Sequence, residues 1–113
     1  MSINDFMKKN EVAILVIADL ETKTFDIRKS NIELKSDVLY KEFVLYNDVN
    51  ALETYISGQV LMPRILSQGN SLCFISQPTE KYIVSIFMER ELEAKELYFF
   101  SVKIDKELKE IMS

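Results

Sequence analysis

Apolar positions along the chain change period several times, and each change marks an element. The opening "NDFMKKN" is a short amphipathic turn of helix that Asn4 or Asp5 can cap. "EVAILVIAD" is apolar on both faces and rich in β-branched residues, the pattern of a strand buried on both sides. After the turn "LETK", the stretch "TFDIRKS" alternates Phe25 and Ile27 with Asp26 and Arg28. It reads as a partly exposed strand paired with the first.

Ser36 or Asp37 can cap the next segment, "VLYKEFVLYNDVNALETYIS". Val38, Leu45, Val49, Leu52 and Ile56 fall along one side of a helix, and Leu39, Phe43 and Tyr46 along a second. This apolar surface is wider than the roughly 100° stripe that covers a single sheet. Deeper burial within the monomer explains the width, and so does a helix that also meets a partner. Within the segment, "LYKEFVLY" also fits a strand, with the helix then starting near Asp48. Gly58 is placed to end the helix in a left-handed cap.

Three apolar runs follow. "QVLMPRILSQ" reads as a third strand, with Pro63 removing a backbone donor at an edge, bulge or break. "QGNS" is a hairpin signal. "SLCFISQ" and, after "QPTEK", "YIVSIFM" are strands four and five.

The closing stretch "ELYFFSVKIDKELKEIM" fits two periods. Tyr98, Phe100, Val102 and Ile104 alternate as a strand would. Leu97, Phe100, Ile104, Leu108 and Ile111 form a helical stripe. The alternation stops at Asp105 while the stripe continues, and Glu91/Lys95, Asp105/Lys109 and Lys106/Glu110 are opposite charges at helical spacing. The reading is a helix from about Leu92 to Met112, against a sixth strand over Leu97–Ile104 with a short helix after it. On the helical reading Tyr98, Phe99 and Val102 form a second apolar patch.

The resulting fold class is α+β: one five-stranded antiparallel-type sheet with a long central helix and a C-terminal helix, in the order α-β-β-α-β-β-β-α. At 113 residues this is one domain, residues 1–113, with a substantial core. Net charge is −4 and no basic run exceeds two residues, which disfavours nucleic acid. The longest apolar run, "VAILVIA", is far too short to span a bilayer, so no membrane insertion is expected. The N-terminus lacks the order of a signal peptide. The single cysteine, Cys73, suits a reducing compartment, and the expected location is cytoplasmic.

Candidate chemistry is sparse. With no histidine, imidazole catalysis and histidine metal sites are excluded. One cysteine makes no thiolate cluster, and Gly58 and Gly69 form no phosphate loop. Cys73 reads as a core thiol. The carboxylates, mostly on the last helix, read as a solvated face. Arg64 and Arg90 can each bind an anion, with surface solubility as the default. No catalytic, cofactor or metal residue is assigned, no cofactor is expected, and the chain is read as not an enzyme.

In its order of elements, the chain resembles the roadblock / dynein light chain family. "NDFMKKNEVAILVIADLETKTFDI" is similar to that family's opening helix and hairpin, and "YIVSIFMERELEAKELYFFSVKIDKELKEIM" to its closing strand and long helix. Profilin-like, longin and sensor folds share related arrangements. Two features depart from the family. The turn "LETKT" has no glycine, and Pro63 lies in the strand through which family dimers join their sheets. The resemblance implies a non-enzymatic homodimeric regulator or adaptor that binds a small Ras-like GTPase or a larger assembly. The interface residues expected from the apolar stripes are Leu45, Val49, Leu52, Ile56, Tyr98, Phe99 and Val102. The alternative is a sensor domain that buries a small ligand between sheet and helix. That needs a cavity with convergent polar groups, for which the interior segments offer mainly the hydroxyls of Ser71, Ser76, Ser85 and Tyr82.

Overall fold

The computed structural model describes residues 2–46, 48–57 and 64–112. Helix α1 (Ile3–Lys9) leads into the hairpin β1 (Ile14–Asp19) and β2 (Thr24–Lys29). A helical segment α2 follows, α-helical over Val38–Tyr40 and π-helical over Lys41–Leu45. Helix α3 (Val49–Ser57), strands β3 (Arg64–Gln68), β4 (Ser71–Thr79) and β5 (Tyr82–Glu89), and helix α4 (Ala94–Met112) complete the order. The expected strand over Gln59–Pro63 and the Gly58 cap lie outside the described residues.

All strand pairs are antiparallel, in the order β2-β1-β5-β4-β3. β1 and β5 sit in the middle, and their side chains alternate between two separate cores. One face carries Ile14, Val16, Ala18, Cys73, Ile75, Ile83 and Phe87, covered by Tyr40 and Val44 of α2 and Val49, Leu52 and Ile56 of α3. The other carries Leu15, Ile17, Phe74, Val84, Ile86 and Met88, covered by Phe6 and Met7 of α1 and Ile104 and Leu108 of α4. A sheet whose inner strands are apolar on both sides must be covered on both sides, because burial contributes about 25 cal/mol per Å² of apolar surface.

The helical reading of the closing stretch holds. α4 runs from Ala94 to Met112, with Ile104 and Leu108 fully buried and Leu97, Phe100 and Ile111 half-buried on the same stripe. Asp105 and Lys109 form the expected ion pair at 2.9 Å. Glu91 lies ahead of the helix.

The central helix differs from a single long rod. Its first part widens into a π turn, in which the Tyr46 N–H donates to the Lys41 carbonyl at 2.8 Å, and α3 starts afresh at Val49. The Asp48 carboxylate accepts the Ala51 N–H at 2.7 Å, the geometry of an N-cap. The cause is register. Tyr40 and Val44 fill the same core as Val49, Leu52 and Ile56. In an unbroken α-helix Val44 and Val49 would point about 140° apart. The π turn and the restart bring both onto one face, and they turn Leu45 outward instead. "LYKEFVLY" is therefore helical rather than a strand.

Local signals resolve in informative ways. Ser2, not Asn4 or Asp5, caps α1. Its hydroxyl accepts the Asp5 N–H at 3.1 Å while the Asp5 carboxylate accepts the Ser2 N–H at 3.3 Å, a capping box. Asp37 is the N-cap residue of α2, without a side-chain cap bond. The first hairpin turns without glycine because Lys23 takes a left-handed φ of 60° and the Asp19 carboxylate accepts the N–H groups of Glu21 and Thr22 at 2.9 and 3.1 Å. Gly69, at φ 62°, opens the β3–β4 turn. β4 runs further than expected, to Thr79, with a register shift between Ser76 and Thr79 that accommodates Pro78.

Polar ties lock the helices down. Glu107 of α4 accepts from Lys9 Nζ at 2.5 Å and from the buried Asn10 side chain at 3.1 Å, clasping α4 to the end of α1. Desolvation pushes the Glu107 carboxyl up, but the bonds from Lys9 and Asn10 and the charges of Lys9 and Lys103 outweigh it, so its pKa lies below the usual value.

Two stability measurements follow from this packing. Leu108→Ala should cost about 2–5 kcal/mol in urea unfolding because it empties a filled core site, while Lys106→Glu on the exposed face should cost under about 0.5 kcal/mol. An unchanged unfolding curve for Leu108→Ala would contradict the α4 packing. The Glu107 clasp should be fully present above the ordinary carboxylate value near 4.5 and be lost as pH falls through the depressed value. An acid titration of stability should therefore have a shallower low-pH limb in Glu107→Gln than in the parent.

Candidate interaction surfaces

The seven residues expected at an interface divide into two groups. Val49, Leu52 and Ile56 are at most 7% exposed and are spent inside the chain's own core. They cannot also meet a partner without unfolding the α2–α3 face, so that part of the expected interface is corrected. Leu45 (52% exposed) and, on α4, Tyr98 (61%), Phe99 (59%) and Val102 (44%) are open. Tyr46 and Val38 add apolar surface beside Leu45. Tyr98 and Phe99 pack edge-to-face on each other with ring centroids 5.7 Å apart. Phe99 lies on the side of α4 away from its buried stripe of Ile104 and Leu108, and Tyr98 on the flank, in line with the buried Ser101 and Asp105.

The two sheet edges differ in chemistry. β2 reads Thr24-Phe25-Asp26-Ile27-Arg28-Lys29, and its charges are of the kind that protects an edge against indiscriminate pairing. β3 reads Arg64-Ile65-Leu66-Ser67-Gln68 and has only Arg64 as a charge. Among the described residues, each edge strand is paired on one side only. The Val38–Tyr40 turn of α2 packs over β3 and β4.

Reactive chemistry is weak at Cys73, Tyr40 and Arg90. Cys73 is fully buried, and burial pushes its thiol well above the ordinary range, which disfavours the thiolate. Burial likewise raises the Tyr40 phenol. Arg90 is tied down, with its guanidinium stacked over Phe100 at 4.6 Å and donating to the Asn10 carbonyl at 3.3 Å. Among the described residues no group of three or more His, Cys, Asp or Glu side chains is placed to hold a metal ion, and no helix is long and apolar enough to cross a membrane.

Two carboxylates that the sequence placed on a solvated surface are instead built into the fold. Asp105 is buried, accepts from the Ser76 hydroxyl at 2.5 Å, and joins α4 to β4. Glu89 accepts the backbone N–H groups of Lys35 and Ser36 and the Ser71 hydroxyl, pinning the loop that precedes α2. Periodicity alone does not reveal either role. The serines opposite them in the strands, Ser76 and Ser71, were the available signal.

A groove of about 450 Å³ opens on the α1/α4 side of the sheet near β2. Ile3, Ile17, Ile111 and Met112 give it an apolar lining. Asp19, Thr24, Asp26, Arg28 and Tyr82 supply polar groups. These are charged anchors that the sequence reading did not gather, because they come together only through the β2-β1-β5 register.

No protein-family model and no curated protein matches the sequence. The fold does have solved counterparts. The gliding protein MglB from Thermus thermophilus aligns with a TM-score of 0.58 at 8% identity, covering 96% of this chain and 84% of that one. A structure of MglB with a tetrameric arrangement gives a TM-score of 0.58 at 8% identity, covering 96% and 83%. MglB from Myxococcus xanthus gives 0.52 at 9% identity, covering 96% and 89%. At these identities the likeness is one of architecture, and on it the chain has the roadblock-like α+β fold of MglB.

Proposed function

We propose that this chain is a non-enzymatic, cytoplasmic, homodimeric regulator or adaptor that binds a small Ras-like GTPase. The observation that carries the reading is the roadblock-like fold over nearly the whole chain, joined to a sheet edge and two apolar patches that the described residues leave open. Self-association is supported by the tetrameric arrangement recorded for MglB. It is assigned here to the β3 edge and the exposed Leu45, the edge because it has little charge of its own to repel a second strand. Pairing two β3 strands across a two-fold axis would join the sheets of both copies.

Tyr98, Phe99 and Val102 lie on the other side of the sheet, so a dimer built through β3 and Leu45 leaves them available. They are assigned to the GTPase. A regulator of this type acts by binding one conformation of the GTPase's switch loops more tightly than the other, which shifts the population by that difference. The chain's own part is a rigid platform, with α4 held to the sheet by Leu108 and Asp105 and to the end of α1 by Glu107.

Two measurements test this. Light scattering at micromolar concentration should give twice the chain mass. Leu45→Glu, at an exposed position, should move it to the monomer while the circular dichroism spectrum stays that of the folded chain. A monomeric wild-type chain overturns the dimer. Capture from the source organism's lysate, with and without a non-hydrolysable GTP analogue, should recover a Ras-like GTPase in a nucleotide-dependent amount, and Phe99→Glu should reduce recovery. Loss of nucleotide dependence, or recovery of no GTPase, overturns the assignment of partner.

A further inference from the structure

α4 does not turn to the sheet the side that its apolar residues favour. At about 100° per residue, Leu97, Phe100, Ile104, Leu108 and Ile111 centre on one direction of the helix. The residues it buries, Ser101, Ile104, Asp105 and Leu108, centre about 50° further round, towards Tyr98. The offset is plainest in mid-helix, where Phe100 is half-buried while its neighbour Ser101 is 2% exposed. Burial of apolar area alone turns the helix the other way, because a phenyl ring gains far more from leaving water than a hydroxymethyl group does.

A polar tie accounts for the offset. Ser101 asks nothing of the sheet, since its hydroxyl donates to the Tyr98 carbonyl of its own helix at 2.7 Å. Asp105 does, because a buried carboxylate must have donors. Lys109 donates to it at 2.9 Å but turns with α4 and so imposes no orientation. Ser76 donates at 2.5 Å from β4, where it is itself buried on the face that carries Leu72 and Phe74. That bond forms only when the Asp105 side of α4 faces the sheet.

We infer that Asp105 is a positioning residue for the outer face of α4, holding the helix through Ser76 about 50° from the roll that its apolar stripe favours. In the tied roll Tyr98 stands on the flank against Phe99, and Phe100 stays half-open beneath Arg90. Without the tie, α4 turns until Phe100 and Ile111 are covered, and Ser101, Asp105 and Tyr98 move outward together. Selecting one orientation of two is the registry use of a buried polar pair. The consequence for a partner rests on the assignment of Tyr98, Phe99 and Val102 to the GTPase made above, since the roll sets how they are aimed. The roll itself does not depend on that assignment.

Thiol labelling reads the roll directly. Cys73 is fully buried with its thiol pushed up, so the parent chain gives an unreactive background. Ser101→Cys and Phe100→Cys are labelled with an aromatic disulfide reagent, alone and combined with Ser76→Ala or Asp105→Asn, and the Glu107 clasp is kept throughout. Ser76→Ala should speed labelling at position 101 and slow it at position 100, each about threefold or more. Ile111→Cys, half-buried on the Phe100 flank, is the second probe there and should slow likewise. Opposite changes mark a roll, whereas mere loosening of α4 speeds all three. Asp105→Asn keeps an oxygen for the Ser76 hydroxyl and should leave the rates near those of the parent. In the nucleotide-dependent capture, Ser76→Ala should lower recovery of the GTPase and Asp105→Asn should retain it. Rates that do not change, or that change in the same direction on both flanks, overturn the inference. So does full recovery by a Ser76→Ala chain that has rolled. Opposite changes with no GTPase recovered from the parent chain support the roll and overturn only the assignment of partner.

Discussion

The structure depends on one constraint: the inner strands are apolar on both faces and must be dry on both. β1 alternates Leu15 and Ile17 towards one side with Ile14 and Val16 towards the other, and β5 alternates Ile86 with Phe87 in the same way. A sheet of this composition has no face to give to water. The chain meets the demand by dividing its helices, α1 and α4 on one side and α2 and α3 on the other. Exposed surface for partners is consequently confined to the strand edges and to the outer sides of the helices.

That division explains where polar groups are spent. Each helical layer is held by a carboxylate whose partners come from distant parts of the chain: Asp105 to Ser76, Glu107 to Lys9 and Asn10, and Glu89 to the loop before α2. Each carboxylate has donors from other elements, which offset its desolvation. These ties fix orientation more than they add stability, and orientation is what a binding platform requires. The same layering separates the open surfaces, with Leu45 on the α2/α3 side, the Tyr98–Phe99 patch on α4 on the other, the β3 edge at one end of the sheet and the β2 groove at the far edge.

Much of this was legible in the chain. The element order and the helical nature of the last segment follow from changes of period, and the stripe through Ile104 and Leu108 is the one the structure buries. The central helix was harder to read, because Val38, Leu45, Val49, Leu52 and Ile56 are correctly spaced for an unbroken rod. The competing set Tyr40 and Val44 wins in the structure, since a π turn costs less than leaving those two side chains without a core. Expecting Val49, Leu52 and Ile56 at an interface failed for the same reason, as a wide apolar surface does not say which side faces inward. The Ser2–Asp5 capping box is present in the spacing, but Asn4 and Asp5 compete with Ser2 as caps on residue type alone. The Asp19–Asp26 groove was not readable at all, because it exists only once β1 and β2 are in register.

Native-state amide hydrogen exchange tests the central claim, a sheet covered on both faces and open only at its edges, most directly. Amides of β1 and β5 should exchange slowest, near the rate set by global unfolding. Those of β2 should exchange orders of magnitude faster, and the amides of α4 near Ile104 and Leu108 should be protected with the sheet. Protection in β2 equal to that in β5, or rapid exchange in β5 while the helices remain protected, would contradict the account.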